Sequence, residues 1–507
     1  MAYVTSPLSD RLRADLTSAS FTVKSLSRVW GDEAEAALHR GHRVPARRVL
    51  QARAAAGVTE PIDTLATLFV LGYPASREDA AAALPLLGLE GAAELGLVFE
   101  GGETVSARID LRPYSFTDSA NGEVVDWWIA SDLGETTLDG PLTENHVLGV
   151  GGASLTLSGL MMQKRVDSVL DLGTGCGIQA MHASRHSHRV VATDISQRAL
   201  DFAQLNADLN GIETIEFRLG SLFEPVSGEL FDHIVSNPPF VITPRREGVP
   251  AYEYRDGGRV GDALVAEVIA GTASHLAPGG TAQMLANWEY HNGTTGFERI
   301  AGWLDASGLD AWLIEREVQD APLYAETWIR DGGTRSGDEF DRLSDAWLDD
   351  FEERGVSAVG FGYLTLRKPL SGTPNLRRLE RLDGPVAAGL GQHISATLAA
   401  HDWQSSLDDE ALTRAMLTVA GDVTEERHYW PGDEHPTVMT LRQGGGFARS
   451  FPLGTALAAV VGACDGELSI AAICGALAQL LAVDEGELLA EVLPDVRELV
   501  ITGFLAV

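Results

Sequence analysis

The sequence predicts an α/β protein, with a central sheet carrying helices on both faces and mainly helical domains on either side of it. Three observations carry this. Val169-Leu170-Asp171-Leu172 reads as a short buried strand that breaks into the turn Gly173-Thr174-Gly175-Cys176-Gly177, after which Ile178, Ala180, Met181 and Ala183 follow helical spacing. A second strand, residues 189–193, ends in Asp194, 19 residues past Gly175, where nucleotide-binding folds place a ribose-binding acid. Strand and helix patterns then alternate as far as residue 371.

A chain of 507 residues can hold two to four domains, each with its own core. Hydrophobic content of 45% with 22% charged residues is ordinary for a globular protein. No apolar run reaches the ~18 residues of a membrane span. Met1-Ala2-Tyr3-Val4-Thr5-Ser6-Pro7 lacks the basic-then-apolar order of a signal peptide, so the expected location is the cytoplasm. Cys176, Cys464 and Cys474 have no metal-ligand spacing; no metal is expected, and Cys464 and Cys474 are expected as buried thiols. The net charge of −34 argues against a surface coated for nucleic acid and leaves room for a local basic patch. Nothing in the sequence specifies the oligomeric state.

Residues 1–105 read as helices, with Leu8, Leu12 and Leu16 at i, i+4 spacing and further helices at 34–38, 47–56, 63–71 and 77–87. Strands flanking Gly101-Gly102 complete a winged-helix-like domain. Its first 53 residues hold nine basic and five acidic side chains. Residues 106–150 supply connecting strands at 107–111 and 124–129, then His146, a candidate for a hydrogen-bonded structural role. In 151–371 a helix is expected over 196–209, with Ser196 as N-cap and Asn210-Gly211 as its stop. Strands follow at 215–218 and 231–236, then a helix at 264–274 and a turn at Ala277-Pro278-Gly279-Gly280. Further strands are expected at 281–286, 311–314 and 359–364. Residues 372–507 form an acidic domain with a hairpin around 437–446 and helices at 457–464, 469–481 and 485–502, again winged-helix-like.

Strand 231–236 delivers Asn237-Pro238-Pro239-Phe240. An amide or aniline-like nitrogen is a poor nucleophile because its lone pair is delocalised. Two acceptors facing its N–H bonds would fix it and return electron density to nitrogen; the Asn237 side-chain oxygen and the Pro238 carbonyl can be those acceptors. The prolines fix φ and remove donors, and Phe240 offers a flat face. The glycine turn, Asp194 and this motif together resemble the class I S-adenosylmethionine-dependent methyltransferases of the Asn-Pro-Pro-(Tyr/Phe) branch, over residues 145–370. The resemblance implies a Rossmann-like methyltransferase sheet and S-adenosyl-L-methionine as cofactor. It implies binding by Asp171, Gly173, Thr174, Gly175, Gly177, Asp194, Ile195, Ser221, Leu222 and Asn237, with Ile195 packed on adenine. Ser221 offers a hydroxyl where the family often has an acid. The catalytic group is then Asn237, Pro238, Pro239 and Phe240. The glycine-rich stretch 252–259 suits a mobile loop over the substrate.

The branch methylates planar nitrogens. The preferred expectation is an amino group of a nucleic-acid base, RNA before DNA, with phosphates drawn to Arg40-Gly41-His42-Arg43-Val44-Pro45-Ala46-Arg47-Arg48. The alternative is a glutamine amide in a protein, or a peptide or small-molecule nitrogen. A third reading is a scaffold that binds the cofactor without catalysis.

Overall fold

The computed structural model describes residues 7–134, 137–138, 142–370 and 373–507. The leader reading of residues 1–6 and the expected boundary at 371/372 fall outside these. The chain divides into two compact units, 1–158 with 165–380, and 159–164 with 381–507. The segments 1–105 and 106–150 thus share one unit with the α/β region apart from residues 159–164. No helix among the described residues is long and apolar enough to cross a membrane.

The larger unit is built on an eight-stranded sheet: β1 Val166–Leu172, β2 Ser187–Asp194, β3 Ile215–Leu219, β4 Phe231–Ser236, β5 Leu276–His291, β6 Asp310–Asp320, β7 Val356–Arg367 and β8 Arg377–Arg381. Their spatial order is β3-β2-β1-β4-β5-β7-β6-β8. β1 to β5 run parallel, and β7 is antiparallel to both β5 and β6. The order reverses between β1 and β4, so the crevice for a ligand opens beyond the carboxyl ends of β1, β2 and β4. The connecting helices are α1 Ile178–Ser184, α2 Gln197–Leu209, α3 Ala263–His275, α4 Gly296–Ser307, α5 Ala321–Asp331 and α6 Asp338–Arg354. The expected turn at 277–280 lies within β5, as an irregularity of pairing between Leu276 and Thr281. A Cβ on Gly280 would stand 2.9 Å from the Phe231 carbonyl, so the strand passes too close to β4 for a side chain there.

α2 explains why the flanking segments join this unit. Asn206, wholly buried on α2, accepts from Ala130 N–H and donates to the carbonyls of Ala130 and Cys176. Asn210 accepts from Trp128 N–H, and Arg13 donates to Leu209 O at 2.8 Å. The hairpin Ile109–Thr117/Val124–Asp132 and the first helix, Pro7–Ser18, are thereby fastened to α2. The helix expected over 77–87 stops at Ala83, and a separate helix spans Gly88–Glu94, because Pro85 disfavours helical φ/ψ at Leu84. Val98–Gly101 and Thr104–Ala107 form the expected hairpin.

In the smaller unit, helices Leu390–Ser405, Thr455–Gly462, Ile470–Leu481 and Glu485–Ile501 pack with the sheets 416–419/465–469/505–506 and 423–428/438–443/450–452. Cys464 and Cys474 are buried, unpaired thiols in its core.

Candidate active site

The crevice holds a cavity of about 630 Å³. Its floor is the turn after β1. Thr193 O at the end of β2 receives the N–H groups of Gly173 and Thr174, both at 2.9 Å. Gly173 and Gly175 have φ of 75° and 54°, and a Cβ on either would meet nothing within 4 Å. These two therefore bare the backbone towards open space. Gly177 differs. It has φ 88°, and a Cβ there would lie 2.9 Å from Ala203 Cβ on α2. Its role is to let the turn and α2 touch, and it does not line the cavity.

Asp171 also stands behind the cavity wall. Its Oδ2 accepts from the Thr174 hydroxyl at 2.6 Å and from Ala180 N–H at 2.9 Å, while Oδ1 meets no protein donor. Complete burial pushes this carboxyl up to about 7. Its side chain clamps the turn to the start of α1 and does not itself line the cavity.

Asp194 reaches the cavity at the tip of β2. Its Oδ2 accepts from Gly175 N–H and its Oδ1 from Ser196 N–H, both at 2.9 Å. Burial raises its carboxyl pKa, the N–H donors of Ser196, Gly175 and Ile195 pull it back, and nearby Glu253 raises it further. Ser196 occupies the N-cap position of α2, yet its side chain makes no cap bond. Ile195 is 66% exposed, an apolar surface facing the same cavity that Thr174, Ser221 and Leu222 line.

β4 ends beside β1, where Ser236 Oγ donates to Leu172 O at 2.8 Å. This delivers Asn237, Pro238, Pro239 and Phe240 to the cavity wall. Asn237 Oδ1 is buried and accepts no hydrogen bond from the protein. Pro238 O already receives Phe240 N–H at 2.7 Å, so one of its two lone pairs is occupied. Phe240 packs 5.7 Å from Phe361, centroid to centroid. Downstream, Val241 N–H donates to Arg255 O at 2.8 Å and Ile242 N–H to Tyr324 Oη at 3.0 Å. Asn287 Nδ2 donates to that same phenol at 2.8 Å.

The segment expected as a mobile loop is a pinned wall. Arg255 donates to Asp331 Oδ2 and to Trp328 O, both at 2.7 Å, and Tyr254 Oη to Asp331 at 3.1 Å. The Arg255 guanidinium lies 4.7 Å from the Tyr252 ring centroid and 5.7 Å from that of Trp328. Trp328 and Asp331, which the sequence reading missed, line the cavity from α5. Asp320 caps α5 by accepting from Leu323 N–H, and Pro322 sits in its first turn; Asp-Ala-Pro was the signal that could have found it. His146 is buried on the cavity wall, 4.0 Å from Asp132, and burial lowers its pKa, so the ring is neutral near pH 7.

The basic cluster is partly consumed by its own domain. Arg43 donates to Leu71 O at 2.7 Å, and Arg43 and Arg47 stack on Tyr73 at 4.7 and 5.0 Å. These two arginines are thereby engaged within their own domain.

Residues 150–295 match the family described as methyltransferase small domain, and residues 18–108 match a domain of unknown function, DUF7059. The release factor glutamine methyltransferase of Xylella fastidiosa is 38% identical over 130 residues, covering 24% of this chain and 47% of that protein. The ribosomal protein uL3 glutamine methyltransferase of Bradyrhizobium diazoefficiens is 32% identical over 151 residues, covering 28% and 46%. The chain thus spans less than half the length of these relatives. Among solved structures, the ribosomal protein L11 methylase of Lactobacillus delbrueckii subsp. bulgaricus aligns over 44% of this chain and 81% of its own, at 21% identity and a TM-score of 0.26.

Proposed function

We propose that this chain, whose residues 150–295 match the methyltransferase small domain family, is an S-adenosylmethionine-dependent methyltransferase acting on the side-chain amide of glutamine in a protein. The observation that carries the reading is the Asn237 carbonyl oxygen, buried at the cavity wall with no donor from the protein. An unsatisfied buried acceptor is costly, and a primary amide supplies the N–H it lacks. The relatives at 38% and 32% identity are named for glutamine methylation in a release factor and a ribosomal protein. The preference for a nucleic-acid base has no such support and gives way to the protein amide.

The residues present fit the cofactor. The open faces of Gly173 and Gly175 leave room beside the backbone, Asp194 presents a carboxylate for ribose hydroxyls, and Ile195 presents an apolar surface for adenine. Bound there, S-adenosylmethionine supplies an electrophilic methyl group. Asn237 Oδ1 accepts one amide N–H, and the remaining lone pair of Pro238 O accepts the other. Phe240 supports the amide plane. Orientation of this kind lowers a barrier by about 7–11 kcal/mol in favourable cases. The methylated nitrogen is acidic and releases its proton without a strong base.

The test is mass spectrometry of release factor and ribosomal protein uL3 from the same organism after incubation with the chain and S-adenosylmethionine. Gain of one methyl mass on a glutamine supports the reading. Methylated RNA bases with unmodified protein would restore the nucleic-acid alternative. Cofactor binding without any turnover would leave the scaffold.

A further inference from the structure

The smaller unit carries a feature that its hydrophobic core leaves unused, with Arg427 of the adjoining strand set against the Tyr429 hydroxyl. Strands Val423–His428 and Val438–Gln443 pair antiparallel with His428 opposite Val438, and Thr437 N–H donates to His428 O at 2.8 Å. At the tip, Asp433 N–H donates to Trp430 O at 3.0 Å, with Gly432 at φ 95°. This turn holds Tyr429 and Trp430 out in solvent, 50% and 68% exposed. The core of the unit, from Leu412 to Leu505, is completed without either ring. Two adjacent exposed aromatic side chains contribute little to folding and are the residue types that dominate binding surfaces.

The charge around them selects a partner. Residues 381–507 hold 18 acidic residues against six arginines and no lysine. On the hairpin itself, Arg427 is matched by Glu425 and Arg442 by Glu426. Asp433 and Glu434, both exposed, follow Trp430 in the same turn, and the two arginines of the hairpin strands are set against Glu425 and Glu426 instead. An aromatic face bordered by carboxylates attracts an ammonium or guanidinium through its quadrupole and by Coulomb attraction together. The same field repels a phosphate backbone.

We propose that this hairpin tip is a docking surface for a lysine- and arginine-rich segment of a partner polypeptide. Trp430 and Tyr429 receive a basic side chain or its alkyl stem, and Asp433 and Glu434 neutralise its charge.

The test uses the full chain and a fluorescent, unstructured peptide of about 15 residues made of lysine, arginine and glycine. Its glutamate counterpart and an oligouridylate serve as comparisons. Anisotropy should show binding of the basic peptide alone, weaker at higher salt. The pair Tyr429→Ala/Trp430→Ala should weaken binding at least ~10-fold, as for loss of aromatic anchors, and Trp430→Phe should retain most of it. Asp433→Asn/Glu434→Gln should weaken binding and flatten its salt dependence. Circular dichroism of each variant keeps folding separate from binding. Equal binding by the parent chain and a folded Tyr429→Ala/Trp430→Ala variant would overturn the proposal, as would no peptide binding at low salt. Preferential binding of the oligouridylate through these rings would overturn it in favour of RNA.

Discussion

In the proposed reading Asp194 and Asn237 divide the site between them, one facing the cofactor and one facing the acceptor. Replacing Asp194 by Ala removes the carboxylate at the tip of β2 along with the acceptor for Gly175 N–H. Affinity for S-adenosylmethionine should fall by roughly 1.5–3 kcal/mol, the range for hydrogen bonds to charged groups, as read by calorimetry. Unchanged affinity would remove Asp194 from the ribose site. Asn237→Ala should leave that affinity nearly intact and cut methyl transfer at least ~100-fold, because the acceptor nitrogen loses its alignment. Turnover near that of the parent chain would sink the mechanism. Asp194 was legible in the sequence because strand end and spacing fix its place. That Pro238 O already holds Phe240 N–H was not, because a two-residue turn within Asn-Pro-Pro-Phe leaves no mark in composition.

Among the elements, α2 and α5 hold the two sides of the crevice. α2 touches the glycine turn at Ala203 beside Gly177, with φ 88° and no space for a Cβ. Gly177→Val should destabilise the fold by about 1–3 kcal/mol or more, the usual cost of overpacking, with the loss visible in urea unfolding; an unchanged midpoint would refute the close-packing role. α5 supplies Tyr324, whose phenol receives Ile242 N–H and Asn287 Nδ2. Tyr324→Phe leaves both donors without this acceptor and should cost roughly 1–3 kcal/mol. Unfolding of that variant at the parent midpoint would show that the phenol does not secure the segment after Phe240.

Across the larger unit, three of the buried histidines carry large shifts that bear on the response to acid. Burial pushes His182 and His233 down to about 3 and His186 to about 4, from 6.5. Below pH 6.5 the unfolded chain binds protons that these folded rings refuse. Their stabilisation is therefore complete above that pH and is lost as pH falls towards 4. Asp110 and Asp171, raised by burial to about 6 and about 7, act in the opposite sense, stabilising at low pH and losing that contribution as pH rises through those values. Each histidine contributes a slope of about 1.4 kcal/mol per pH unit in this window. His233→Gln should make the pH dependence of stability between pH 6.5 and 5 shallower by about that amount. Identical slopes in denaturant titrations of variant and parent would refute the assignment.

The sequence by itself determined the strand–turn–helix at 169–183, the acid at 194 and Asn-Pro-Pro-Phe at a strand end. Each is a local pattern in which backbone freedom, spacing or ring geometry restricts the choice of residue. It also carried the strand and glycine turn around 437–446, which pair with Ser450–Pro452, while the exposed tip between His428 and Val438 was not legible in it. Tertiary structure alone decided that Asp171 and Gly177 stand behind the cavity wall, because facing α1 and α2 consume them. It turned 252–259 from an expected lid into a wall, since Asp331 and Trp328, more than 70 positions away in the chain, hold Arg255. It also folded the N-terminal helices and the connecting hairpin onto α2. Asn206, buried, and Asn210, half-buried, join backbone groups some 80 residues apart, and hydrogen bonds between such distant segments exist only once the chain has closed on itself.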